Sequence, residues 1–444
     1  MKKLNMRTHI LLAINIWIIS FSVSYAKSVE EAVATAFNTN PELKAAYNRY
    51  RSAYHQHKGS KGAWYPNINA RANIGQGRQN TPESRAGIED EQTKPIEYSI
   101  SLEQVLFDGF FTRNEVKRTE QEMRSEYYAL KETAENKALD AVSAYLAVYR
   151  ERQLKTLAEK NLASHQEIYE QIKMRADSGL GSNSELSQAS GRLARAHASA
   201  LAAENNLQDV LAQYKAIIGE SADEIIVPKV NQVKIPTSLG DLLNQSKEQH
   251  PTLYLAKADI AATQAQLKTA KAAYYPRVTF EVSKSKVDDR GSDNAFRDET
   301  RADIVVTYNL FRGGTDRHAE LNAAYQIEQA KEIRHQAERQ VLEGAKLSWN
   351  AMTSIQQQLE FLRIHVEQSY ITQQAYKKQF DLGRRTLLDL LDTENELFEA
   401  RKSYVNAEAS YITAQYRVLN AMGRLLEALE INPQEYWQVA RNAN

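Results

Sequence analysis

The stretch Phe380-Asp381-Leu382-Gly383-Arg384-Arg385-Thr386-Leu387-Leu388-Asp389-Leu390-Leu391-Asp392 reads as a sharp corner between two helices. A helix arrives, Gly383 stops it, and Thr386 with Asp389 three residues later restarts it at capping-box spacing. The same corner occurs upstream in Ala176-Asp-Ser-Gly-Leu-Gly-Ser-Asn-Ser-Glu-Leu186. Gly179 aligns with Gly383, Ser182 with Thr386, Glu185 with Asp389 and Leu186 with Leu390, all at an offset of 204. Two corners in register imply a duplicated chain.

The match extends well beyond the corners. Ser28, Pro41 and Ala63-Trp64-Tyr65-Pro66 match Ser238, Pro251 and Ala273-Tyr274-Tyr275-Pro276 at an offset of 210. Leu106-Phe107-Asp108-Gly109 matches Leu310-Phe311-Arg312-Gly313 at 204, and that offset holds to Gly219 and Gly423. The six-residue change falls between Pro66 and Leu106, which places it in a loop. The expected organisation is residues 27–237 as one repeat, 238–430 as the second, and 431–444 as a short tail.

Prolines partition the chain. None occurs in 96–227 or 277–432, stretches rich in Ala, Gln, Glu, Leu and Lys, which are good helix formers. Ala345, Met352, Leu359 and Val366 recur every seven residues with Ile355 and Leu362 between them, as in a coiled-coil seam or one buried face of an amphipathic helix. Residues 110–177 contain no strong break and predict roughly 100 Å of helix at ~1.5 Å per residue, which favours the coiled coil.

A period of two lies ahead of each long helix. Ile68, Ala70, Ala72 and Ile74 alternate with Asn67, Asn69, Arg71 and Asn73; Ile96, Tyr98, Ile100 and Leu102 alternate with Glu97, Ser99, Ser101 and Glu103. Val278, Phe280 and Val282, then Ile304, Val306, Tyr308 and Leu310, repeat the pattern. These are four strands in two hairpins, with long polar loops expected at about 75–95 and 285–300. One apolar and one polar face suits a soluble sheet with one buried side, or a transmembrane barrel with a wet lumen. Four strands cannot close a barrel; three copies would supply twelve. Trp64, Tyr65, Tyr274 and Tyr275 stand where an interfacial aromatic belt would lie.

The first 26 residues favour the barrel. Lys2, Lys3 and Arg7 precede an apolar run from Ile10 to Ile19, and Ser24-x-Ala26 fits a cleavage site, the pattern of a secretory signal rather than of an anchor helix. No cysteine is present, so there is neither a disulfide nor a lipid-anchor thiol. The 444 residues carry 56 basic and 56 acidic side chains, three net negative once residues 1–26 are removed, which argues against nucleic acid as partner. The sequence holds no phosphate loop, no His-Glu-x-x-His and no Gly-x-Ser-x-Gly. His55 and His57 are two residues apart, which points them to different sides of a helix. No catalytic residue, cofactor or metal is expected.

Together these features resemble the TolC family of outer-membrane export channels. The duplicated layout, the aromatic-Tyr-Pro before each first strand, the Leu-Phe-x-Gly closing each second strand and the Gly-x-Arg-Thr-x-x-Asp-x-x-Asp corner carry the resemblance over about residues 27–425. It implies a mainly α chain with a transmembrane β part: a homotrimer whose shared twelve-stranded barrel continues into a helical coiled-coil barrel across the periplasm. It implies a mouth at the corners, opened when a periplasmic adaptor and an inner-membrane ABC or proton-driven transporter dock. Arg385 occupies the gating-arginine position, with Ser184 and Glu185 as matching partners. Phe380 stands where the family often has tyrosine, which removes one possible bond to Glu185. Asp389 and Asp392 match the two entrance acids and would form two rings of three carboxylates. Gly179-Leu180 and Leu382-Gly383 match the adaptor-docking tips. Read without the family, Asp389 is a helix N-terminal acid, Asp392 a solvated charge and Arg385 a solubilising loop residue. Cargo is open between type I protein secretion, towards which the missing cysteine leans, and small-molecule efflux. A soluble periplasmic coiled-coil scaffold or adaptor is the rival architecture.

Overall fold

The computed structural model describes residues 27–433 except 79, 81, 88–91, 229, 231–233 and 290–294. The expected signal segment, 1–26, and tail residues 434–444 lie outside the described residues.

Helices α1 (Val29–Thr39) and α2 (Pro41–Ser60) open the chain, each started by its own cap. Ser28 and Glu31 exchange bonds across a capping box at 3.3 and 3.0 Å, and Asn40 accepts from the N–H groups of Glu42 and Leu43. Strand β1 (Asn67–Ile74) follows, then a two-residue ladder of β2 (Gly77–Arg78) with β3 (Gln92–Thr93) around the one-turn helix α3 (Pro82–Arg85), then β4 (Pro95–Phe107). Helix α4 (Phe111–Asp177) runs for 67 residues, and α5 (Asn183–Ile218) returns beside it. The order then recurs: α6 (Leu239–Gln249), α7 (Pro251–Ala270), β5 (Arg277–Asp289), β6 (Ala295–Thr307), the 67-residue α8 (Thr315–Asp381), α9 (Leu387–Ala421) and the short α10 (Leu425–Ala428).

The four long strands form one antiparallel sheet in the order β1-β4-β5-β6. Both hairpins form, and β4 pairs with β5 across the two halves. The second hairpin differs from expectation, because its strands run on into residues read as loop. Lys284, Lys286 and Asp288 continue the alternation, and Lys284 lies 3.6 Å from Asp298 across the ladder, so charged pairs extend a ladder that hydropathy alone would end.

On one face Ile68, Ala70, Ala72 and Ile74 lie opposite Leu102, Ile100, Tyr98 and Ile96. On the same face Val278, Phe280 and Val282 lie opposite Val306, Ile304 and Ala302. This apolar patch steps along the rows: Ile100 and Tyr98 remain apolar where their β5 partners are already Lys284 and Lys286. Strands inclined by ~40° to a level apolar slab step by about 4 Å per strand in this way. The other face carries Glu103 opposite Glu281, and Glu281 opposite Asp303. Like charges opposed in a sheet destabilise it, and here Arg277 offsets Glu103 at 3.0 Å while Thr279 donates to Glu281 at 2.9 Å.

Helices α4 and α8 carry the packing. Towards the sheet the helices lie in the order α2-α4-α7-α8, and towards the corners in the order α5-α4-α9-α8. Alanines 134, 138 and 141 of α4, with Leu130, Val142 and Tyr145, lie in one buried core with residues of α1, α6, α10 and the end of α9. Small side chains let the helix axes approach closely where five elements meet. Ile431 joins this core, so packed chain extends past residue 430. The heptad residues are covered unevenly. Ala345 and Met352 are buried, whereas Ile355, Leu359, Leu362 and Val366 are half-buried.

Where Asn40 caps α2, His250 caps α7. Its Nδ1 accepts the Thr252 N–H at 3.3 Å, and burial pushes its pKa down to about 4 from 6.5. A depressed folded pKa gives stability that is present above about pH 6.5 and lost as pH falls towards 4. About 3 kcal/mol is the ceiling for this loss. His250→Asn is expected to keep the cap and flatten the acid limb of the thermal stability profile between those pH values. An unchanged acid limb would assign the loss to other groups.

Candidate functional site: the helix corners

Both corners are built by the same backbone device. The N–H of Gly179 donates to Ala176 O at 3.0 Å and that of Leu180 to Arg175 O at 2.9 Å; Gly383 and Arg384 repeat this with Phe380 O and Gln379 O at 2.9 and 2.8 Å. These are Schellman ends, which need a residue in the left-handed region. Gly179 has φ +76° and Gly383 φ +69°, values that cost a side chain about 1 kcal/mol or more. Neither glycine has a neighbour where a Cβ would sit, and Leu180 and Leu382 stand 85% and 70% exposed. The tips are bare.

Each outgoing helix restarts on a reciprocal capping box. Ser182 Oγ accepts from Glu185 N–H at 3.2 Å while Glu185 accepts from Ser182 N–H at 3.2 Å. Asp389 accepts from the Thr386 N–H at 3.2 Å and the Thr386 hydroxyl at 2.9 Å, and these bonds hold its carboxyl below the usual range. The helix-acid role of Asp389 is therefore realised, with its side chain still partly in solvent. Ser184 lies 2.8 Å from Ser182, hydroxyl to hydroxyl.

Arg385 turns to its own corner. Its Nε donates to Gln379 at 3.0 Å, its guanidinium lies 4.2 Å from the centre of the Tyr376 ring, and Asp389 is 4.0 Å away. Among the described residues it makes no hydrogen bond to Ser184 or Glu185 of the same chain, because Glu185 is engaged in its own cap. Phe380, expected at the gate, packs inside the corner of its own chain. It is 3% exposed among Ile168, Ile172, Ala189, Leu387, Leu390 and Leu391, with Arg175 4.8 Å above its ring. Arg175 of α4 and the leucines of α9 cover the ring, which leaves it no exit to solvent.

Sequence reasoning missed the ties between the corners. Asp392 bonds Arg192 at 2.9 Å, and Lys377 bonds Glu167 at 3.1 Å. A buried group of His165, Gln373 and Glu394 lies just above, with Gln373 donating to Glu394. Burial pushes the His165 pKa down, against the opposing pull of Glu394. One signal was available: Arg192 and Arg195 stand where the second repeat has Glu396 and Glu399, so the halves diverge in charge on matching helix faces.

Long paired helices with bare corners at one end, and a sheet with an apolar and a wet face at the other, describe a conduit anchored by strands. The sequence profile of the outer membrane efflux protein family matches residues 32–220 and 242–424. The chain belongs to that family. The outer membrane efflux protein BepC of Brucella suis is 24% identical over 396 residues, covering 87% of this chain and 83% of that protein. The outer membrane protein TolC of Vibrio cholerae is 23% identical over 400 residues, covering 87% and 88%. The CmeC outer membrane channel of Campylobacter jejuni superposes with a TM-score of 0.80 at 16% identity, covering 89% of this chain and 85% of that one. This efflux family member is an outer-membrane channel that extends into the periplasm. The soluble scaffold is not favoured, and the relatives are channels and transport proteins rather than enzymes.

Proposed function

We propose that three copies of this chain close into one conduit, opened at the corners by a periplasmic adaptor and driven by an inner-membrane ABC or proton-driven transporter. The observation that carries this reading is the agreement of two orders. The sheet runs β1-β4-β5-β6 and the helices run from α2 and α5 to α8. Each layer has its first-repeat edge on one side and its second-repeat edge on the other, so one rotation can close both. Ile333, Leu347 and Phe361 of α8 recur every fourteen residues and stay exposed in a single copy, an unpartnered heptad stripe. Closure would give a twelve-stranded barrel with the acids of β4, β5 and β6 inside.

In this assembly Asp389 and Asp392 are the entrance acids, Arg385 with Ser184 and Glu185 of a neighbouring corner forms the gate, and Gly179-Leu180 with Leu382-Gly383 receives the adaptor. The names of the relatives support small-molecule efflux over the leaning to secretion drawn from the absent cysteine. A deletion strain tests the cargo directly. Hypersensitivity to dyes, detergents and antibiotics with an intact secretome is expected; loss of one large secreted protein with normal drug tolerance would reverse the assignment. Arg385→Ser removes the stack on Tyr376 and the bond to Gln379, and is expected to raise entry of large antibiotics severalfold. Unchanged uptake in cells with normal channel levels would remove Arg385 from the gate.

A further inference from the structure

Asp392 does not face the mouth as a free carboxylate. Its Oδ1 accepts from Arg192 Nη2 at 2.9 Å, joining α9 to α5 across two residues 200 apart in sequence. We propose that Arg192 is the selectivity-setting residue of the entrance: it neutralises Asp392, leaving Asp389 as the effective acidic position and a mouth with little preference for cations. The inference rests on the reading of Asp389 and Asp392 as entrance acids and deepens it.

Three observations carry it. The Asp392 side chain is 59% exposed and that of Arg192 30%. The acid therefore stands in solvent at the position read as the entrance, and the guanidinium reaches it from α5. Exposed ion pairs add little to stability, and α9 is already anchored here by buried Leu387, Leu390 and Leu391. The pair's consequence is therefore chiefly electrostatic. The surroundings are also balanced: residues 173–195 and 377–396 carry eight basic and seven acidic side chains. Asp389 itself has Arg385 4.0 Å away. Rings of unpaired carboxylates select cations through their summed field; here a cation on the same chain sits inside that field. A mouth of this kind admits anionic and cationic solutes alike.

The test is single-channel recording of the purified full-length channel in planar bilayers, under a KCl gradient and with Mg²⁺ added on the corner side. Wild type is expected to be weakly cation-selective and poorly blocked. Arg192→Gln is expected to raise the potassium-to-chloride permeability ratio about threefold and to lower the half-blocking Mg²⁺ concentration about tenfold. Arg192→Lys should behave as wild type, and Arg192→Gln with Asp392→Asn should return both values towards it. If Arg192→Gln changes neither value while Asp389→Asn with Asp392→Asn reduces cation preference, the entrance reading stands and the role of Arg192 is overturned. If the double asparagine variant has no effect, the entrance reading fails and the inference with it. Raised conductance at an unchanged permeability ratio in Arg192→Gln would make the pair a mechanical tie, which also overturns the proposal.

Discussion

Gly109→Val is expected to abolish accumulation of the channel in the outer membrane. Gly109 lies in the turn between β4 and α4 with φ +65°, in the left-handed region. A Cβ there would lie 2.6 Å from the carbonyl oxygen of Ala272 and 2.8 Å from Tyr275 Cβ. Both neighbours belong to the second repeat, just before β5, so the clash falls where the two hairpins are joined. The oxygen is backbone and cannot rotate aside. A β-branched residue in this conformation adds about 1–2 kcal/mol to the clash, and about 4 kcal/mol or more in total is expected, at the upper end for single substitutions. The matching Gly313 supplies the control. Its φ is +61°, but nothing lies within 4 Å of where its Cβ would sit. Gly313→Val carries the backbone cost without the clash and should still accumulate. The measurement is the amount of the full-length channel protein in purified outer membranes. Equal loss in both variants would assign the effect to backbone conformation alone and remove the contact with Ala272 from the account.

These two glycines show what the sequence could and could not reveal. That each repeat's second strand gives way to a long helix near Leu-Phe-x-Gly was legible, because a period of two changes to a helical period there; β4 runs through Leu106 and Phe107, but β6 stops at Thr307, so Tyr308 and Leu310, read as strand, lie beyond it. That Gly109 is pressed against the second repeat was not, since nothing local to Leu106–Gly109 names a neighbour 163 residues away. The same division runs through the corners. The Schellman glycines and capping boxes are local devices and were readable at Gly179, Ser182, Gly383 and Thr386. The partners of the charged side chains were not: Asp392 looked free until Arg192 was placed beside it. Phe380 was legible as part of the corner motif, but its surroundings were not. Its burial depends on α4 presenting Ile168 and Ile172 to the last turn of α8, a fact of tertiary packing. Phe110 is the clearest departure. It adopts φ +67° where the second repeat has Gly314, a conformation that a bulky side chain rarely takes. Contacts with Phe107 and Tyr275, at ring separations of 5.4 and 6.2 Å, hold it there.

Glu135→Ala should cost about 3–5 kcal/mol and release the end of the second repeat. Glu135 is buried on α4, and its carboxylate accepts the N–H groups of Leu425 at 2.9 Å and Leu426 at 3.4 Å, at the start of α10. Removing it strands two buried donors and opens a void between α4 and the start of α10. Burial pushes the pKa of Glu135 up to about 7, against the pull of the two N–H groups. A raised folded pKa gives a contribution that is complete below the unfolded value near 4.5 and is lost as pH rises through about 7. This is opposite in sign to His250, whose contribution fades on the acid side. Glu135→Gln keeps one acceptor and cannot ionise. Its stability relative to wild type should therefore improve by up to about 3 kcal/mol between pH 5 and pH 8. Thermal unfolding at the two pH values, with protease sensitivity of the segment after Ala421, reads both effects. A pH-independent difference between wild type and Glu135→Gln would mean that Glu135 stays ionised throughout. The two backbone donors would then outweigh its burial, and α10 would be tethered by a buried anion.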